Sequence, residues 1–414
     1  MNLDFQPGAV QSTFKTAYTN DYRAEVAVRN IVRSIGNAWP SLLMLFCGGK
    51  HPPEVILRGL RMAYPSTPIV GGSAAGAISR EGFGYTGSEI GAVAIFGRGA
   101  APAIVSVREL GYSEQAAGVE LGRKIAALAH EGATVMLFYD SVAGANPLRL
   151  HPASSIVDGI GAGLAGKPIK LVGGGMLTDL DLNGGWVFDG WSVCRHAAVA
   201  LVFPPTVTME ATILHGCRPA SPFMTVTAIE GAKVLELDGR PALQVIEEML
   251  GLQSGQGSGQ GLLLIATLGE KLGDPFAPFD ENAYVNRLIL NGDRNEGSVT
   301  LFEPDYQIGT QVQIMARDNE MMLQSVKQGV AAASRLITAA PAGAAFCLYI
   351  DCAGRVSART GAIPEEASLV VAGLPPQVPF LGFFSGVEIA PFGTSARALD
   401  WTGVLATVCY RHAS

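Results

Sequence analysis

The sequence predicts an α/β fold in which helices pack on the faces of mixed β-sheets built from repeated β-α-β-β units. Three features indicate this: apolar runs of buried-strand length recur, stretches with helical apolar spacing separate them, and glycine-rich segments follow the returning strands. Parallel strands need a crossover of about a dozen residues or more, so a helix between two buried strands indicates parallel pairing. The closely spaced strands that follow are expected to add antiparallel partners.

The predicted elements recur in one order: strand, helix, returning strand, glycine turn and further strands. The first copy comprises residues 41–47, 53–64, 67–70, the turn GGSAAG at 71–76, 89–96 and 103–107. The second comprises residues 134–139, 154–164, 169–172, the glycines at 173–175, 185–189, 192–203 and 206–213. A less exact third copy comprises residues 345–350, 364–372, 378–383 and 401–410, and further helices are predicted at 241–250 and 320–339.

These copies suggest where the chain divides. A length of 414 residues exceeds what one hydrophobic core usually supports. We predict an N-terminal region at residues 1–215, with two internal repeats at about 40–107 and 134–213, and a C-terminal region at residues 216–414.

Composition narrows the range of partners. The net charge of -7 argues against nucleic-acid binding, and a charged fraction of only 16% favours self-association as a homodimer. The first residues lack the basic start and apolar run of a signal peptide, and no apolar run approaches the roughly 20 residues of a membrane span. A cytoplasmic location is therefore expected.

The six cysteines are scattered, which predicts neither a disulfide framework nor a metal site. Cys347 and Cys352 are the closest pair, and their separation is not that of a Cys-x-x-Cys motif.

Several short motifs occur in a distinctive order. The N-terminal half contains VGGSAAGAI at residues 70–78 and VGGGMLTD at 172–179; the C-terminal half contains HGCRP at 215–219, VTAIEG at 226–231, ELDGRPA at 236–242, CAGR at 352–355 and GFFSGVEIAP at 382–391. From about residue 40 to residue 410 the chain resembles the paired N-terminal and C-terminal FIST domains of bacterial signal-transduction proteins. Val387 stands where that family usually has glycine, and Asp400, Trp401 and Thr402 replace an asparagine-x-threonine. These departures leave the identity of the ligand open.

The resemblance implies a non-catalytic sensor that binds a small molecule, such as an amino acid or small carboxylate. Such a sensor would act on a separate histidine kinase or cyclic-di-GMP enzyme. Two alternatives remain at this point: a haem-binding nitric oxide sensor, and a hydrolase-type enzyme that uses the same cleft.

The predicted ligand-binding residues come from the glycine turns and from charged positions in the family-like motifs. Backbone amides at the turns could bind an anion, an arginine could grip a carboxylate in bidentate fashion, and an acid could bind an amino group. The predicted set is Gly72, Ser73, Gly174, Arg218, Asp238, Arg355, Ser385 and Glu388. The competing interpretations are that glycine only permits a tight turn and that the arginines form internal ion pairs.

His215 and Cys217 are the candidate haem ligands, because haem iron is most often held by His or Cys and their motif is distinctive. No Cys-x-x-Cys-His motif predicts covalent haem. GGSAAG is not a nucleophile elbow, since Ala75 stands where glycine is required. A hydrolase with dispersed catalytic residues stays open.

Overall fold

The computed structural model describes residues 13–97, 99–263, 265–340 and 343–411. The prediction of an α/β fold with mixed sheets is confirmed. The α-helices of the described residues are α1 (Ala24–Ile35), α2 (Pro53–Ala63), α3 (Glu114–Leu128), α4 (Ala153–Leu164), α5 (Ala242–Met249), α6 (Asn319–Ala339), α7 (Ser357–Thr360) and α8 (Glu366–Gly373), with a 3-10 helix at Glu281–Ala283. None of these helices combines the length and apolar character needed to cross a membrane.

The β-strands follow in chain order. The first group is β1 (Thr13–Thr19), β2 (Leu42–Gly48), β3 (Ile69–Ala74), β4 (Ala77–Ile78), β5 (Phe83–Gly84), β6 (Ile90–Phe96), β7 (Ala103–Val107), β8 (Ala133–Asp140), β9 (Val142–Ala145), β10 (Leu148–Leu150), β11 (Ile169–Met176), β12 (Val187–Gly190), β13 (Val193–Cys194), β14 (Ala198–Val202) and β15 (Val207–Leu214). The second group is β16 (Cys217–Pro219), β17 (Met224–Glu230), β18 (Lys233–Leu237), β19 (Arg240–Pro241), β20 (Ala266–Lys271), β21 (Tyr284–Asp293), β22 (Ser298–Leu301) and β23 (Gln311–Arg317). The last group is β24 (Ala344–Cys352), β25 (Phe380–Ser385), β26 (Glu388–Phe392), β27 (Ser395–Leu399) and β28 (Gly403–Tyr410).

Three six-stranded sheets share one strand order. The first sheet is β1-β6-β2-β3-β12-β13, the second is β7-β14-β8-β11-β26-β27, and the third is β15-β28-β24-β25-β4-β5. In each sheet the two central strands are parallel and their other neighbours are antiparallel. The parallel pairs are joined by α2, by α4, and by α7 with α8, as the crossover rule requires.

The outer hairpin of each sheet comes from the chain that has just left another sheet. The hairpin β12–β13 follows β11 of the second sheet but pairs with β3 in the first. Likewise β26–β27 follows β25 and pairs with β11, and β4–β5 follows β3 and pairs with β25. This exchange links the three sheets in a closed cycle, so none of them is an independent unit.

A shared hydrophobic core fills the space between the three sheets. Three aromatic rings, one from each sheet, meet there. The ring of Phe46 stacks on Phe383 with centroids 4.0 Å apart and contacts Phe138 edge-on at 5.2 Å. Close packing of this kind leaves little room for a ligand at the centre of the molecule.

Most of each glycine segment is strand rather than turn. The turn predicted at residues 173–175 was wrong, and of the turn predicted at 71–76 only Ala75 and Gly76 lie outside a strand, where the chain bends between β3 and β4. Gly71 and Gly72 lie within β3, and Gly173 to Gly175 lie within β11. A Cβ atom on Gly71 would lie 2.3 Å from the Leu45 carbonyl oxygen, and one on Gly173 would lie 2.0 Å from the Leu137 carbonyl oxygen. Glycine is therefore required for close backbone approach between parallel strands.

A further β-structure, formed by residues 217–317, is inserted between β15 and α6. Its strands β23-β17-β18-β22-β21-β20 close on themselves because β20 also pairs with β23, and β16 adds to the outside of β23. We call this part the barrel. Sequence patterns predicted its helix α5 but not its strands.

Candidate functional site

A cavity of about 160 Å³ lies where the second sheet, the third sheet and the barrel meet. Strands β11, β24 and β25 end beside it, which is the edge of a parallel sheet where ligands commonly bind. Its walls are largely apolar and include Leu177, Leu180, Leu182, Leu263, Leu288 and Phe302. Residues 352–354 and 385–386 complete the wall on the side of the third sheet.

Charged and polar side chains at this cavity come from three different segments. Asp181, Gln260 and Arg359 all line it. The Arg359 guanidinium donates hydrogen bonds to the Leu180 carbonyl oxygen and, at 3.1 Å, to the Asp181 carboxylate. The Asp181 side chain is 80% exposed and that of Arg359 is 23% exposed, so this ion pair lies at the mouth of the cavity.

A buried hydrogen-bond network lies behind Ser385. Its hydroxyl oxygen is 2.6 Å from Oε1 of Glu388 and 3.1 Å from the Asp351 carbonyl oxygen. Oε2 of Glu388 accepts hydrogen bonds from the hydroxyl and the backbone N–H of Thr402. Complete burial raises the pKa of Glu388 to about 8. The network joins β25, β26 and Thr402, the residue just before β28, and it fixes the wall of the cavity.

A second cavity, of about 10 Å³, adjoins the first and shares Leu182, Phe302 and Gly386 with it. It has room for about one water molecule. Glu303 of the barrel lines it and accepts hydrogen bonds from the N–H groups of Ala153 and Ser154, at the N-terminus of α4. Burial, reinforced by the nearby Asp400, raises the pKa of Glu303 to about 8. The carboxyl group thus fastens the barrel to the second sheet.

A chain of polar side chains supports the wall beside α4. Nδ1 of His151 is 2.7 Å from the Glu114 carboxylate, and Nε2 of His151 is 2.9 Å from Nδ1 of His196. The backbone N–H of His196 donates to Asp140 at 2.7 Å. Asp140 and His196 are 56 positions apart in the sequence, and the pairing of β8 with β14 brings them together.

The predicted residues Gly72, Ser73 and Gly174 belong to packed strands. The N–H of Ser73 donates to the Trp186 carbonyl, and its hydroxyl accepts from the Trp186 N–H. A Cβ on Gly174 would lie 2.9 Å from Ile350 and 3.2 Å from Ser385. The amide of Ser73 is therefore engaged in the sheet, and neither Gly72 nor Gly174 lines the cavity.

The predicted charged residues hold protein segments together. Arg355 is buried and forms a bidentate ion pair with Glu366 at 2.7 and 3.0 Å, while its remaining amino group donates to two carbonyl oxygens. Arg218 forms a surface ion pair with Asp318 at 3.2 Å. Asp238 lies in a turn with a positive φ of 51° and accepts from the Thr225 N–H. Of the eight predicted ligand-binding residues, all of which the structure describes, Ser385 is the one that lines the cavity.

The haem candidates do not fit a haem in this arrangement. His215 and Cys217 are 2% and 3% exposed, and neither lines the cavity. The backbone of His215 is fixed by Ser325 and Arg355, and a Cβ on the adjacent Gly216 would lie 2.6 Å from Met322. Burial lowers the pKa of His215 to about 4 and raises that of Cys217 to about 12, so the imidazole and the thiol are both neutral. A porphyrin could enter only if these segments moved apart.

Three crossover sheets with one strand order and an inserted barrel define a multi-unit α/β protein. Comparison with protein families matches residues 41–240 to the FIST N domain and residues 242–391 to the FIST C domain. The chain belongs to the family with paired FIST N and FIST C domains. These are sensory domains associated with signal transduction.

The curated relatives are similar over part of their length. Uncharacterized protein Mb0898c of Mycobacterium bovis is 31% identical over 183 residues, which is 43% of this chain and 45% of that protein. Uncharacterized protein MT0656 of Mycobacterium tuberculosis is 27% identical over 190 residues, which is 45% of this chain and 47% of that protein. The match thus spans less than half the length of these relatives.

Similarity to solved structures is weak. A cyanuric acid hydrolase from A. caulinodans aligns over 97% of this chain and 100% of its own, with 9% identity and a TM-score of 0.33. PurLQS from Thermotoga maritima aligns over 97% of this chain and 72% of its own, with 11% identity and a TM-score of 0.20. Scores this low support no conclusion about activity.

We expect Arg355→Ala to lower the free energy of unfolding by about 3–5 kcal/mol, because it leaves the buried side chain of Glu366 without its ion-pair partner. Arg218→Ala removes only an exposed ion pair and should cost about 0–1 kcal/mol. Urea denaturation of both variants checks this. Equal losses in the two variants would contradict the structural role assigned to Arg355.

The buried Glu388 should make stability depend on pH. The pKa of Glu388 is raised in the folded protein. Its contribution to the free energy of unfolding is therefore complete at pH values below its ordinary pKa of 4.5, and it is lost as the pH rises through about 8. Glu388→Gln should therefore flatten the fall in unfolding free energy over this interval, as measured by denaturant titrations at a series of pH values. A slope unchanged by the substitution would show that Glu388 does not titrate as described.

Proposed function

We propose that this protein is a non-catalytic sensor that binds a small amino acid or a related small carboxylate in the 160 Å³ cavity. The observation that carries this proposal is the ion pair between Arg359 and Asp181 at the mouth of an apolar cavity. In this proposal the bound sensor acts, from a cytoplasmic location, on a separate histidine kinase or cyclic-di-GMP enzyme.

The size of the cavity limits the ligand. An apolar cavity of about 150 Å³ holds a molecule of the size of benzene. The cavity here is of similar volume, so it suits an apolar side chain of about four carbons rather than a nucleotide. The leucine side chains of its walls supply the matching apolar surface.

The charges at the mouth suit a zwitterion. A guanidinium group binds a carboxylate in bidentate fashion, and a carboxylate binds an ammonium group. An α-amino acid carries both partners on one carbon atom, so it can bind Arg359 and Asp181 in place of their mutual contact. The charge balance at the mouth is preserved when this exchange occurs.

The chemistry of the wall favours binding over turnover. Burial raises the pKa of Cys352 well above its ordinary value, so its thiol stays neutral and is a weak nucleophile. Ser385 has Glu388 beside it, but a carboxyl group with a pKa of about 8 is mostly protonated at neutral pH and is a poor base there. These properties support a sensor.

The cavity also links separate parts of the chain. Leu180 and Leu182 come from the segment after β11, Ala353 from the segment after β24, and Leu263 from the barrel. A ligand that contacts all of them would hold the barrel more firmly against the two sheets. This is a physical means by which occupancy could change the surface presented to a partner protein.

We expect leucine or valine to raise the melting temperature in a thermal-shift screen that also contains arginine, succinate and ATP. At about 100 times the Kd, binding adds about 2.7 kcal/mol to stability. Arg359→Gln should abolish the shift because it removes the guanidinium group that binds the carboxylate of the ligand. Ala353→Phe should abolish the shift because its ring fills the cavity.

Two matched controls keep this test specific. Arg108→Gln breaks a surface ion pair with Asp189, and Ala127→Phe adds a ring to an exposed position of α3; both should keep the shift. Shifts retained in Arg359→Gln and Ala353→Phe would place the ligand elsewhere. Chemical conversion of a bound compound, detected by mass spectrometry, would overturn the proposal that the protein is non-catalytic.

A further inference from the structure

An apolar groove of about 880 Å³ runs between α1 and α2 on the outer face of the first sheet. Its apolar surface is formed by Val28, Val32, Val55, Met62 and Ala63. Met62 is 80% exposed, and a second concave region beside it reaches Val193. We call this surface the α1–α2 groove. It lies on a different sheet from those beside the ligand cavity.

The corresponding helix pair on the second sheet is closed. Helices α3 and α4 pack backbone to backbone: a Cβ on Gly118 would lie 2.4 Å from the Ile156 carbonyl oxygen, and one on Gly122 would lie 2.4 Å from that of Ile160. In the α1–α2 pair, the side chain of Val28 packs against Gly59. Side chains at a helix contact set the distance between the axes, so Val28 holds this pair apart and the groove stays open.

Two arginines, Arg29 and Arg33, line the α1–α2 groove, and two more, Arg58 and Arg61, line the adjoining concave region that shares Met62 with it. Among the described residues, none of the four forms an ion pair within 4 Å, although Arg61 stacks on the exposed ring of Trp191. Two acids, Glu25 and Glu54, also line the groove and its extension. The surface therefore carries net positive charge in a chain whose total charge is -7.

A second copy of this chain is a poor occupant. A symmetric dimer places the same patch on both sides of the interface, so the unpaired arginines would face their own copies. A membrane surface is also a poor occupant, because a flat bilayer cannot reach the concave apolar floor. A helix of about 10 Å diameter fits a groove between two helices, and its apolar face can bury the floor.

The geometry points to the α1–α2 groove as the docking site for an acidic amphipathic helix of a partner protein. Apolar residues of the partner at positions i, i+3, i+4 and i+7 contact Val28, Val32 and Met62, and its acidic residues pair with Arg33 and Arg58. This surface is suited to the output contact of the proposed sensor. Docking requires no ligand in the cavity, so failure of one proposal leaves the other standing.

The test uses the full chain and a fluorescein-labelled helical peptide of about 18 residues, with leucine at the i, i+3, i+4 and i+7 positions and glutamate on the opposite face. A second peptide carries lysine in place of every glutamate. We expect fluorescence anisotropy to show binding of the acidic peptide and at least about tenfold weaker binding of the lysine peptide. Raising the salt from about 0.05 to about 0.5 M should weaken binding of the acidic peptide.

Variants locate the contact. Arg33→Glu combined with Arg58→Glu should weaken acidic-peptide binding at least about tenfold, and Met62→Glu should weaken it similarly. Lys327→Glu combined with Arg335→Glu, an equal charge change on the exposed face of α6, should leave it unchanged. Circular dichroism confirms that each variant is folded.

Three results would overturn the proposal: equal binding of both peptides, acidic-peptide binding that is unaffected by the groove variants, or no peptide binding. Vesicles containing phosphatidylserine provide the comparison with a lipid surface. If they bind the protein in an Arg33- and Arg58-dependent manner while the acidic peptide does not, the groove recognises a lipid surface instead.

Discussion

Backbone hydrogen bonding at the edges of the parallel strands is the constraint on which this structure depends. Strands β3, β11 and β25 each end a crossover unit with an unpaired side, and a buried strand edge without partners is costly. In each case a hairpin delivered from another sheet completes the pairing. The three hairpins form a cycle, so each sheet depends on the chain of another. The glycines of β3 and β11 let these strands approach their parallel partners closely. The core rings and the position of the cavity follow from this linkage.

Much of the fold was readable from local patterns, because buried strands and crossover helices have simple apolar signatures. The strand predicted at residues 103–107 matches β7, and the helix predicted at residues 154–164 starts one residue after the first residue of α4. Helices α1 and α3 were not predicted, although α1 buries Ala27, Val28 and Ile31 at helical spacing. The glycine segments were misassigned because glycine signals a turn locally, whereas here it serves close contact between strands distant in sequence. The hairpin exchange has no local signal.

The candidate site was harder to predict, because its parts come together only through the fold. Ser385 was identified from a motif, and the structure places it on the cavity wall. Arg355 was predicted as a ligand-binding residue because it is a charged residue in a motif, yet its guanidinium forms a buried ion pair with another residue of the protein, Glu366. Arg359, only four positions further, lines the cavity. Its role depends on contact with Asp181, which is 178 positions away, and sequence patterns carry no sign of that pairing. Motif position thus pointed to segments that line the cavity, but not to Arg359.

Ligand occupancy of the cavity can be followed by hydrogen–deuterium exchange of the full chain with and without saturating leucine. We expect slower exchange at residues 177–182 and 352–354, both of which contribute to the cavity lining, and unchanged exchange in the packed strand β3. Leucine binding that leaves these two segments unprotected, or that protects a different surface, would show that leucine does not occupy this cavity.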